Sequence, residues 1–167
     1  HVDHMDELIA MLDVIAGGEG EFLKRPFCGA GGCAIVSPLT YGDDNSEVVV
    51  AAALRGIPTG IVVASQAGAT APAALAGALT LNPAETLAGL LMVNLIRPGH
   101  PMSFGNWPFV SDLRTGSFTG GSGEEAVLAA AASQMAKFYD LSNSVGAGMS
   151  DSKALDAQSG YEKGITV

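Results

Sequence analysis

The 167-residue sequence predicts an α/β fold in which parallel β-strands alternate with α-helices. Three observations support this prediction. Short apolar runs recur four times along the chain, and each is followed by a loop and a segment with helical signals. The runs are apolar along their length, as is typical of strands covered on both faces in a parallel sheet. Repeated strand, loop and helix units join through right-handed crossovers, so a single parallel sheet is expected.

The first helix and strand are predicted in the N-terminal part of the chain. The helix covers Met5–Ala16, with Asp3 as its N-cap and Gly17 as the residue that stops it. The strand covers Cys33–Val36, because this run is apolar and lies between glycines and a Ser-Pro pair. Ser37 would then lie at the C-terminal end of the strand.

The second unit begins with the capping-box pattern of Asp44–Glu47, which predicts a helix that ends at Gly56. The second strand follows at Thr59–Ala64 and leads into the polar loop Ser65–Thr70. Pro72 is expected to open the next helix, because proline is favoured at the first helical position.

The third unit begins at Asn82–Glu85, where an N-cap, a proline and a glutamate predict a separate helix that extends to about Ile96. The third strand is predicted over Pro101–Gly105, and a long loop over Asn106–Gly121 follows it. A loop of this length suggests a functional role.

The fourth unit begins with a second capping-box pattern, Ser122–Glu125, which predicts a helix extending to about Tyr139. The fourth strand is predicted over Asn143–Ala147. The segment Lys153–Val167 is predicted to be helical, and Asp151 before it is interpreted either as its N-cap or as a site residue.

Four such units fit two architectures, a small doubly wound domain or about half of an eight-unit barrel, which needs roughly 250 residues. Neither G-x-G-x-x-G nor G-x-x-x-x-G-K-[ST] occurs, so nothing indicates a nucleotide site. The chain begins at His1 without an initiator methionine, and its last predicted helix stops without a capping residue. We therefore expect one domain, residues 1–167, that is a fragment of a larger protein.

The composition excludes several classes of partner. The formal net charge of −9, with only 8 Lys and Arg residues, argues against binding nucleic acid or an anionic membrane surface. Every apolar run is interrupted before about 20 residues, so no membrane span is predicted. The two cysteines do not form the dense pattern of a secreted scaffold, and a cytoplasmic location is expected.

One set of residues resembles a metal site, namely Cys28, Cys33 and His100. Their spacing matches no standard zinc motif, and an unpaired buried cysteine usually behaves as a small apolar residue. No directly bound metal is predicted.

Seven segments of the chain together carry a resemblance to a known family. They are Ser37–Leu39, Gly56–Pro58, Gly68–Pro72, Leu75–Gly77, Arg97–Pro101, Asp112–Gly116 and Asp151–Glu162. In this order and spacing, from about Phe27 to its end, the chain resembles the trimethylamine methyltransferase family. The seven segments are far more specific together than any single motif.

The resemblance implies a partial (β/α)8 TIM barrel of about four β/α units. It also implies an enzyme that moves a methyl group from a methylated amine to the cobalt of a corrinoid (cobalamin) carried by a cognate partner protein. Some members contain pyrrolysine, whereas others demethylate glycine betaine without it. Only the twenty standard residues occur here, so trimethylamine and a betaine both remain open as substrates.

A second hypothesis is that the chain is a non-catalytic half-barrel fragment that acts as an assembly or binding module. A half barrel has two open strand edges, which must pair with another chain or would promote aggregation. A homo-oligomer is therefore expected.

The implied reaction requires positioned reactants rather than a side-chain nucleophile, so the candidate site residues are those expected near the mouth of the barrel. We assign Asp112 and Asp151 as catalytic; Ser37, Gln66, Phe104, Asn106 and Trp107 as substrate-binding; and Gly68, Thr70, Ser152 and Lys153 as cofactor-binding. Plainer interpretations remain beside these, because Asp156, Gln158 and Glu162 are also suited to surface hydrogen bonds. The glycines are interpreted first as residues of tight turns, since glycine is the default residue wherever φ must be positive.

Overall fold

A four-stranded parallel sheet forms the centre of the computed structural model, which describes residues 2–167. In chain order the strands are β1 (Ala30–Gly32), β2 (Ile35–Val36), β3 (Thr40–Tyr41), β4 (Thr59–Val63), β5 (Gln66–Ala67), β6 (Met102–Asn106), β7 (Phe109–Ser111), β8 (Phe118–Thr119) and β9 (Asn143–Ser144). The α-helices are α1 (Met5–Ala16), α2 (Glu21–Lys24), α3 (Asp43–Arg55), α4 (Leu75–Ile96), α5 (Gly123–Phe138) and α6 (Ala157–Thr166). A 3-10 turn at Val2–His4 leads into α1.

The strand order of the central sheet is β1-β4-β6-β9, and each neighbouring pair is parallel. The spatial order follows the chain, and α3, α4 and α5 connect the successive strands. The predicted α/β architecture with one parallel sheet is therefore confirmed.

Helices cover one face of the central sheet, and the other face is open. In β4, the side chains of Thr59, Ile61 and Val63 are buried, whereas Gly60 and Val62 between them are partly exposed. Ile61 belongs to a core cluster to which α3, α4 and α5 contribute apolar side chains. Although β4 is apolar along its length, as predicted, this chain covers only one of its faces.

A second apolar cluster joins the N-terminal helices to α3. It contains Met5, Phe22, Ala51, Ala52 and Ile57. The Asp13 carboxylate of α1 holds the start of α2 against α1, because it accepts hydrogen bonds from the backbone N–H groups of Gly20 at 2.8 Å and Phe22 at 2.9 Å.

A smaller sheet lies just beyond the ends of β4 and β6. In it, β5 pairs in parallel with β7, and β7 pairs antiparallel with β8. The Phe109 N–H donates to the Ser65 carbonyl at 2.8 Å, so the segments that follow β4 and β6 remain paired beyond the central sheet. The prediction of an irregular loop over Asn106–Gly121 is wrong here, because β7 and β8 are too short to show a periodic pattern.

The first strand of the sheet is also displaced from its predicted position. β1 is glycine-rich and pairs with Thr59–Ile61 of β4. The predicted run Cys33–Val36 contributes only its last two residues to a strand, and these form a hairpin with Thr40–Tyr41. Glycine has a low strand propensity, so the sequence pattern favoured the neighbouring apolar run.

Helix α4 is one continuous helix of 22 residues with Pro83 inside it, where two helices were predicted. It begins at Leu75, after the predicted start at Pro72. Asn82 does not cap a new helix, because its side chain donates instead to the Val63 carbonyl at 3.0 Å. A bond to the sheet therefore takes the place of the predicted N-cap.

The remaining predicted caps are partly confirmed. Ser122 caps α5 by accepting a hydrogen bond from the Glu125 N–H at 3.1 Å, as predicted. The N-caps of α1 and α3 are His4 and Gly42, without side-chain hydrogen bonds, so the predicted caps at Asp3 and in the Asp44–Glu47 box are wrong.

The last helix starts later than predicted and has a different cap. It covers Ala157–Thr166, and Asp156 is the N-cap, with its carboxylate accepting from the Ser159 N–H at 2.8 Å. The alternative in which Asp151 caps this helix is therefore wrong.

Helix α4 is long and apolar enough to cross a membrane by length and composition alone, and it is the one such helix among residues 2–167. In this structure it packs against β4 and β6, and 39% of its most apolar window is buried. A long core helix of a globular domain has the same properties.

Candidate functional site

Polar side chains gather where the strands of the central sheet end. Asn106 and Ser144 are the last residues of β6 and β9, Trp107 follows β6, and Ser65 and Gln66 follow β4. Ligand sites of parallel sheets lie outside the carboxyl ends of the strands. We call these five residues the strand-end site.

Trp107 links two neighbouring strands of this site. Its indole Nε1 donates to the Ser144 hydroxyl at 3.0 Å. Its ring meets Phe109 edge to face at 6.4 Å between centroids, and Phe109 meets Phe118 in the same manner at 4.8 Å. A side chain at Gly146 would collide with the Phe109 ring. The partly exposed indole is therefore backed by the buried Phe109 ring.

Gln66 is fixed from two sides. Its Oε1 accepts a hydrogen bond from the Ser111 hydroxyl at 2.8 Å, and its backbone N–H donates to the Thr70 hydroxyl at 2.9 Å. Gly68, between Gln66 and Thr70, has φ 88° and lies against Leu113, so another residue would be strained there. The predicted cofactor residues Gly68 and Thr70 therefore shape the loop that carries Gln66.

Two asparagines of this region hold buried amide atoms that have no hydrogen-bond partner among the described residues. Asn106 is fully buried, and both its Nδ2 and its Oδ1 are unpaired. Asn82 on α4 donates to the Ser65 hydroxyl at 2.8 Å, but its Oδ1 is also unpaired. A buried polar group without a partner typically costs about 1–3 kcal/mol, and such groups are rare enough to indicate a functional region.

Glu125 is a buried carboxyl residue in the first turn of α5, the helix between β6 and β9. It is fully buried, and within residues 2–167 neither of its oxygens has a hydrogen-bond partner. Burial and, to a smaller extent, the negative charge of Asp151 raise the pKa of Glu125 to about 7. A carboxyl group with a pKa near neutrality can hold or release a proton under physiological conditions.

Asp151 is exposed and connects three segments. Its Oδ1 accepts from the Gly120 N–H at 2.7 Å, and its own N–H donates to Glu162 Oε2 of α6 at 2.8 Å. Hydrogen bonds from the Ser150 hydroxyl and the Gln158 amide lower the pKa of Glu162. The last helix is thus tied to the loop before α5 through Asp151.

Ser152 and Lys153 lie in the turn that precedes α6. The Ser152 hydroxyl donates to Asp156 Oδ2 at 2.9 Å, and the Ser159 N–H and this hydroxyl lower the pKa of Asp156. Lys153 is exposed. These two predicted cofactor residues lie near Asp151 in the chain and on the surface of the domain.

Asp112 lies at the turn between β7 and β8. Its Oδ1 accepts from the Arg114 N–H at 2.9 Å, and this hydrogen bond is the main reason that the pKa of Asp112 is lowered. Its backbone N–H donates to the Ser117 carbonyl at 2.9 Å. Asp112 therefore organises the hairpin between β7 and β8.

Two predicted substrate residues lie apart from Trp107 and Gln66. Phe104 is 1% exposed and packs in the core, with its ring 6.3 Å from that of Tyr139. The Ser37 hydroxyl donates to Glu85 Oε2 of α4 at 2.6 Å, and the Leu39 N–H donates to Oε1 at the same distance. Ser37 thus belongs to a loop that a buried helical carboxylate holds in place.

Three buried polar residues, Asn82, Glu85 and Glu125, are not among the site residues predicted from the sequence. Each was interpreted as part of a helix-start pattern, because Asn, Glu and Ser are common in first turns. The sequence does contain a signal for Glu85, because it is the one ionisable side chain among the 22 residues of α4. A single charge in an apolar helix indicates a buried and paired group.

The possible metal ligands do not come together. Cys28 and Cys33 are exposed free thiols, and the buried His100 has its Nε2 2.9 Å from the Ile57 carbonyl. Within residues 2–167 no group of three or more His, Cys, Asp or Glu side chains could hold a metal ion.

The fold and the site define the class of the protein. It is an α/β protein in which successive parallel β/α units place polar and aromatic side chains at the carboxyl ends of the strands. The chain belongs to the trimethylamine methyltransferase family, whose family model matches residues 2–167. The resemblance found in the sequence is confirmed.

Curated relatives carry two kinds of name. The chain is 34% identical, over 99% of its length, to a glycine betaine methyltransferase of Desulfitobacterium hafniense strain Y51. It is 32% identical, also over 99% of its length, to a trimethylamine methyltransferase of Methanosarcina thermophila. These alignments cover 34% and 35% of the two relatives, so the chain spans about a third of their length.

Proposed function

We propose that this chain is part of a methyltransferase that moves a methyl group from a tertiary or quaternary methylamine to the Co(I) corrinoid of a partner protein. The observation that carries the proposal is the family match over residues 2–167. The names of the relatives support trimethylamine or glycine betaine as the type of substrate.

The proposed reaction is an in-line displacement in which the carbon–nitrogen bond breaks and its electron pair stays on nitrogen. The two electrons of the new carbon–cobalt bond come from Co(I), so the amine leaves as a neutral product when the donor is a quaternary ammonium or a protonated tertiary amine. No protein nucleophile is needed. The tasks of the protein are to align the two reactants and to exclude water.

The strand-end site has the chemistry for the amine. A methylated ammonium group is attracted to aromatic faces, and Trp107 presents a partly exposed indole that Ser144 and Phe109 hold in place. The unpaired amide of Asn106 and the fixed side chain of Gln66 lie at the ends of adjacent strands and would orient polar parts of the substrate. Their hydrogen-bonding atoms are already buried or restrained, so little entropy is lost on binding.

The other predicted residues take supporting roles in this proposal. Phe104 packs beneath the site, and Ser37 belongs to the loop that ends the first unit. The carboxylates of Asp112 and Asp151 supply the negative charge that favours a cationic donor. Gly68, Thr70, Ser152 and Lys153 would lie on the side that faces the corrinoid partner.

The open face of the sheet supports the proposal that the whole protein is a TIM barrel. Gly31, Gly60 and Ser103 lie side by side in the strand register, and Val62 lies beside Gly105 in the next layer. Inward-facing side chains of TIM barrels form such layers. In a complete barrel, strands from the rest of the protein would cover this face, and the cytoplasmic location predicted above suits a partner that must hold Co(I).

The proposal can be tested with the full-length protein and its cognate corrinoid protein in the Co(I) state. Adding trimethylamine or glycine betaine should produce the absorption spectrum of methyl-Co(III) with at least one of them. No spectral change with any tertiary or quaternary methylamine, while the corrinoid protein accepts methyl groups from a chemical donor, would falsify the assignment.

A variant of Trp107 tests the proposed site. Trp107→Leu should reduce kcat/KM by up to about thirtyfold, since a cation–π contact is worth up to about 2 kcal/mol. Phe138→Leu is the matched control, because Phe138 is 80% exposed at the far end of α5. Equal activity of the two variants would remove Trp107 from the substrate site.

A further inference from the structure

The exposed side of α4 carries an apolar stripe along its whole length. The stripe consists of Ala76, Thr80, Ala84, Ala88, Leu91 and Leu95, which follow one another at helical spacings of three or four residues. Leu91 is 57% exposed and Leu95 is 74% exposed. Its first four residues are small, and its last two are large.

The stripe carries no charge, although the chain has a formal net charge of −9. Glu85 is the one ionisable residue of α4, and it is buried with both oxygens bonded to the Ser37–Leu39 loop. Beside the large half, Tyr41 and Ile96 extend the stripe into an apolar groove. Exposed apolar patches of this kind mark interaction sites.

We propose that this stripe is the contact surface between two copies of the protein, with the two α4 helices packed antiparallel about a two-fold axis. An axis between residues 85 and 86 places Leu95 of one copy against Ala76 of the other, and Leu91 against Thr80. Large side chains then meet small ones on both sides of the axis. A two-fold interface needs this self-complementarity, because the same surface appears on both subunits.

The charges beside the stripe favour the same arrangement. The neighbouring helices α3 and α5 carry exposed acidic residues in their first turns, namely Asp43, Asp44 and Glu124, and basic residues in their last turns, namely Arg55 and Lys137. These helices start at the same edge of the sheet as α4, because all three follow parallel strands. Antiparallel pairing therefore brings the basic end of one copy near the acidic end of the other.

The first test measures the mass of the full-length protein by sedimentation. We expect a dimer, or a higher oligomer built from dimers. Leu95→Lys should break the contact between the α4 helices, because it would bury a charge there, and the measured mass should fall. Leu155→Lys should leave the mass unchanged, because Leu155 is 97% exposed in the loop before α6. A protein that is monomeric at every concentration, or a Leu95→Lys variant with unchanged mass, would overturn the proposal.

The second test determines the register of the helices. In a form of the protein whose native cysteines are replaced by serine, Thr80→Cys and Leu91→Cys are prepared as separate variants and mixed. Mild oxidation should link the mixed pair and leave Thr80→Cys alone unlinked, since two copies of residue 80 would lie about 16 Å apart along the axis. Disulfides require Cα atoms within about 7 Å.

The outcomes separate a second copy from other occupants of the stripe. Efficient linking of Thr80→Cys to itself would exclude the proposed register. Protection of Leu95→Cys from a thiol reagent in a monomeric protein would show that another segment of the same chain covers the stripe. Sedimentation of the protein with neutral phosphatidylcholine vesicles, abolished by Leu95→Lys, would show a membrane contact instead. Each of these results contradicts the proposal.

Discussion

Two buried glutamates near the carboxyl ends of the strands differ sharply in their surroundings. Glu85 of α4 accepts hydrogen bonds from the Ser37 hydroxyl and the Leu39 N–H, each at 2.6 Å. Glu125 of α5 is equally buried and has no hydrogen-bond partner among the described residues. Burial alone therefore does not decide what a carboxyl group does, because its hydrogen-bond partners determine whether it holds a loop or a proton.

The largest expected effect is on the pH dependence of stability. Burial raises the pKa of Glu125 to about 7 from an ordinary value of 4.5, so the folded state binds more protons than the unfolded state between these values. The contribution to stability is fully present below pH 4.5 and is lost as the pH rises to about 7. Glu125→Gln should remove up to about 3 kcal/mol of this dependence, since one unit of pKa corresponds to about 1.4 kcal/mol.

The measurement is urea unfolding of the full-length protein at a series of pH values between 4.5 and 8. Glu124→Gln is the matched control, because Glu124 is the exposed neighbour in the same helical turn. If the variant and the natural protein lose stability in parallel as the pH rises, Glu125 is not the group responsible.

Replacing Glu85 should have a smaller effect, which reports on the Ser37–Leu39 loop. Glu85→Leu removes the acceptor of two hydrogen bonds and should lower the free energy of unfolding by about 2 kcal/mol. Hydrogen exchange of the Leu39 N–H should increase in the variant. Glu47→Leu, at an exposed position of α3, provides the control. If the Leu39 N–H of the Glu85→Leu variant is as protected from exchange as in the natural protein, the loop does not depend on Glu85.

A still smaller effect on stability is expected for Asp151 and Asp156, the two aspartates that precede α6. Asp156→Ala should destabilise the protein by about 1 kcal/mol through loss of the N-cap of α6. Asp151→Ala should leave the helicity of α6 unchanged and release the Gly120 N–H instead. Hydrogen exchange in α6 distinguishes the two variants, and equal loss of protection would make Asp151 a second support of the helix.

The smallest effect links Asp151 to Glu125. Its negative charge raises the pKa of Glu125, although less than burial does. Asp151→Asn should therefore lower the apparent pKa of Glu125 by a fraction of a unit, without changing the fold. Titration of the Glu125 carboxyl by NMR measures this shift, and an unchanged midpoint would attribute the whole perturbation to burial.

The sequence predicted those parts of the fold that depend on local signals. Gly17 and Gly56 end α1 and α3 in the left-handed conformation, and Ser122 caps α5 as expected. The cap at Asn82 was wrong because its amide bonds to a neighbouring strand end, a tertiary contact without a local signature. The two-residue β8 was missed because a strand of this length has no period to detect.

The candidate site was predictable to a similar degree. Gln66, Asn106 and Trp107 follow the ends of apolar runs, and the structure places them at the ends of β4 and β6. The burial of Glu125 was not predictable, because a glutamate in the first turn of a helix is usually solvated. Only the packing of α5 against the sheet determines that its carboxyl group faces inward.

The order of the central strands has a consequence for biosynthesis. Each of β4, β6 and β9 pairs with the central strand made just before it, so no strand waits for a distant segment to be synthesised. Contacts between neighbouring units carry a small loop-closure entropy and form quickly. The sheet can therefore grow one unit at a time while the chain is leaving the ribosome.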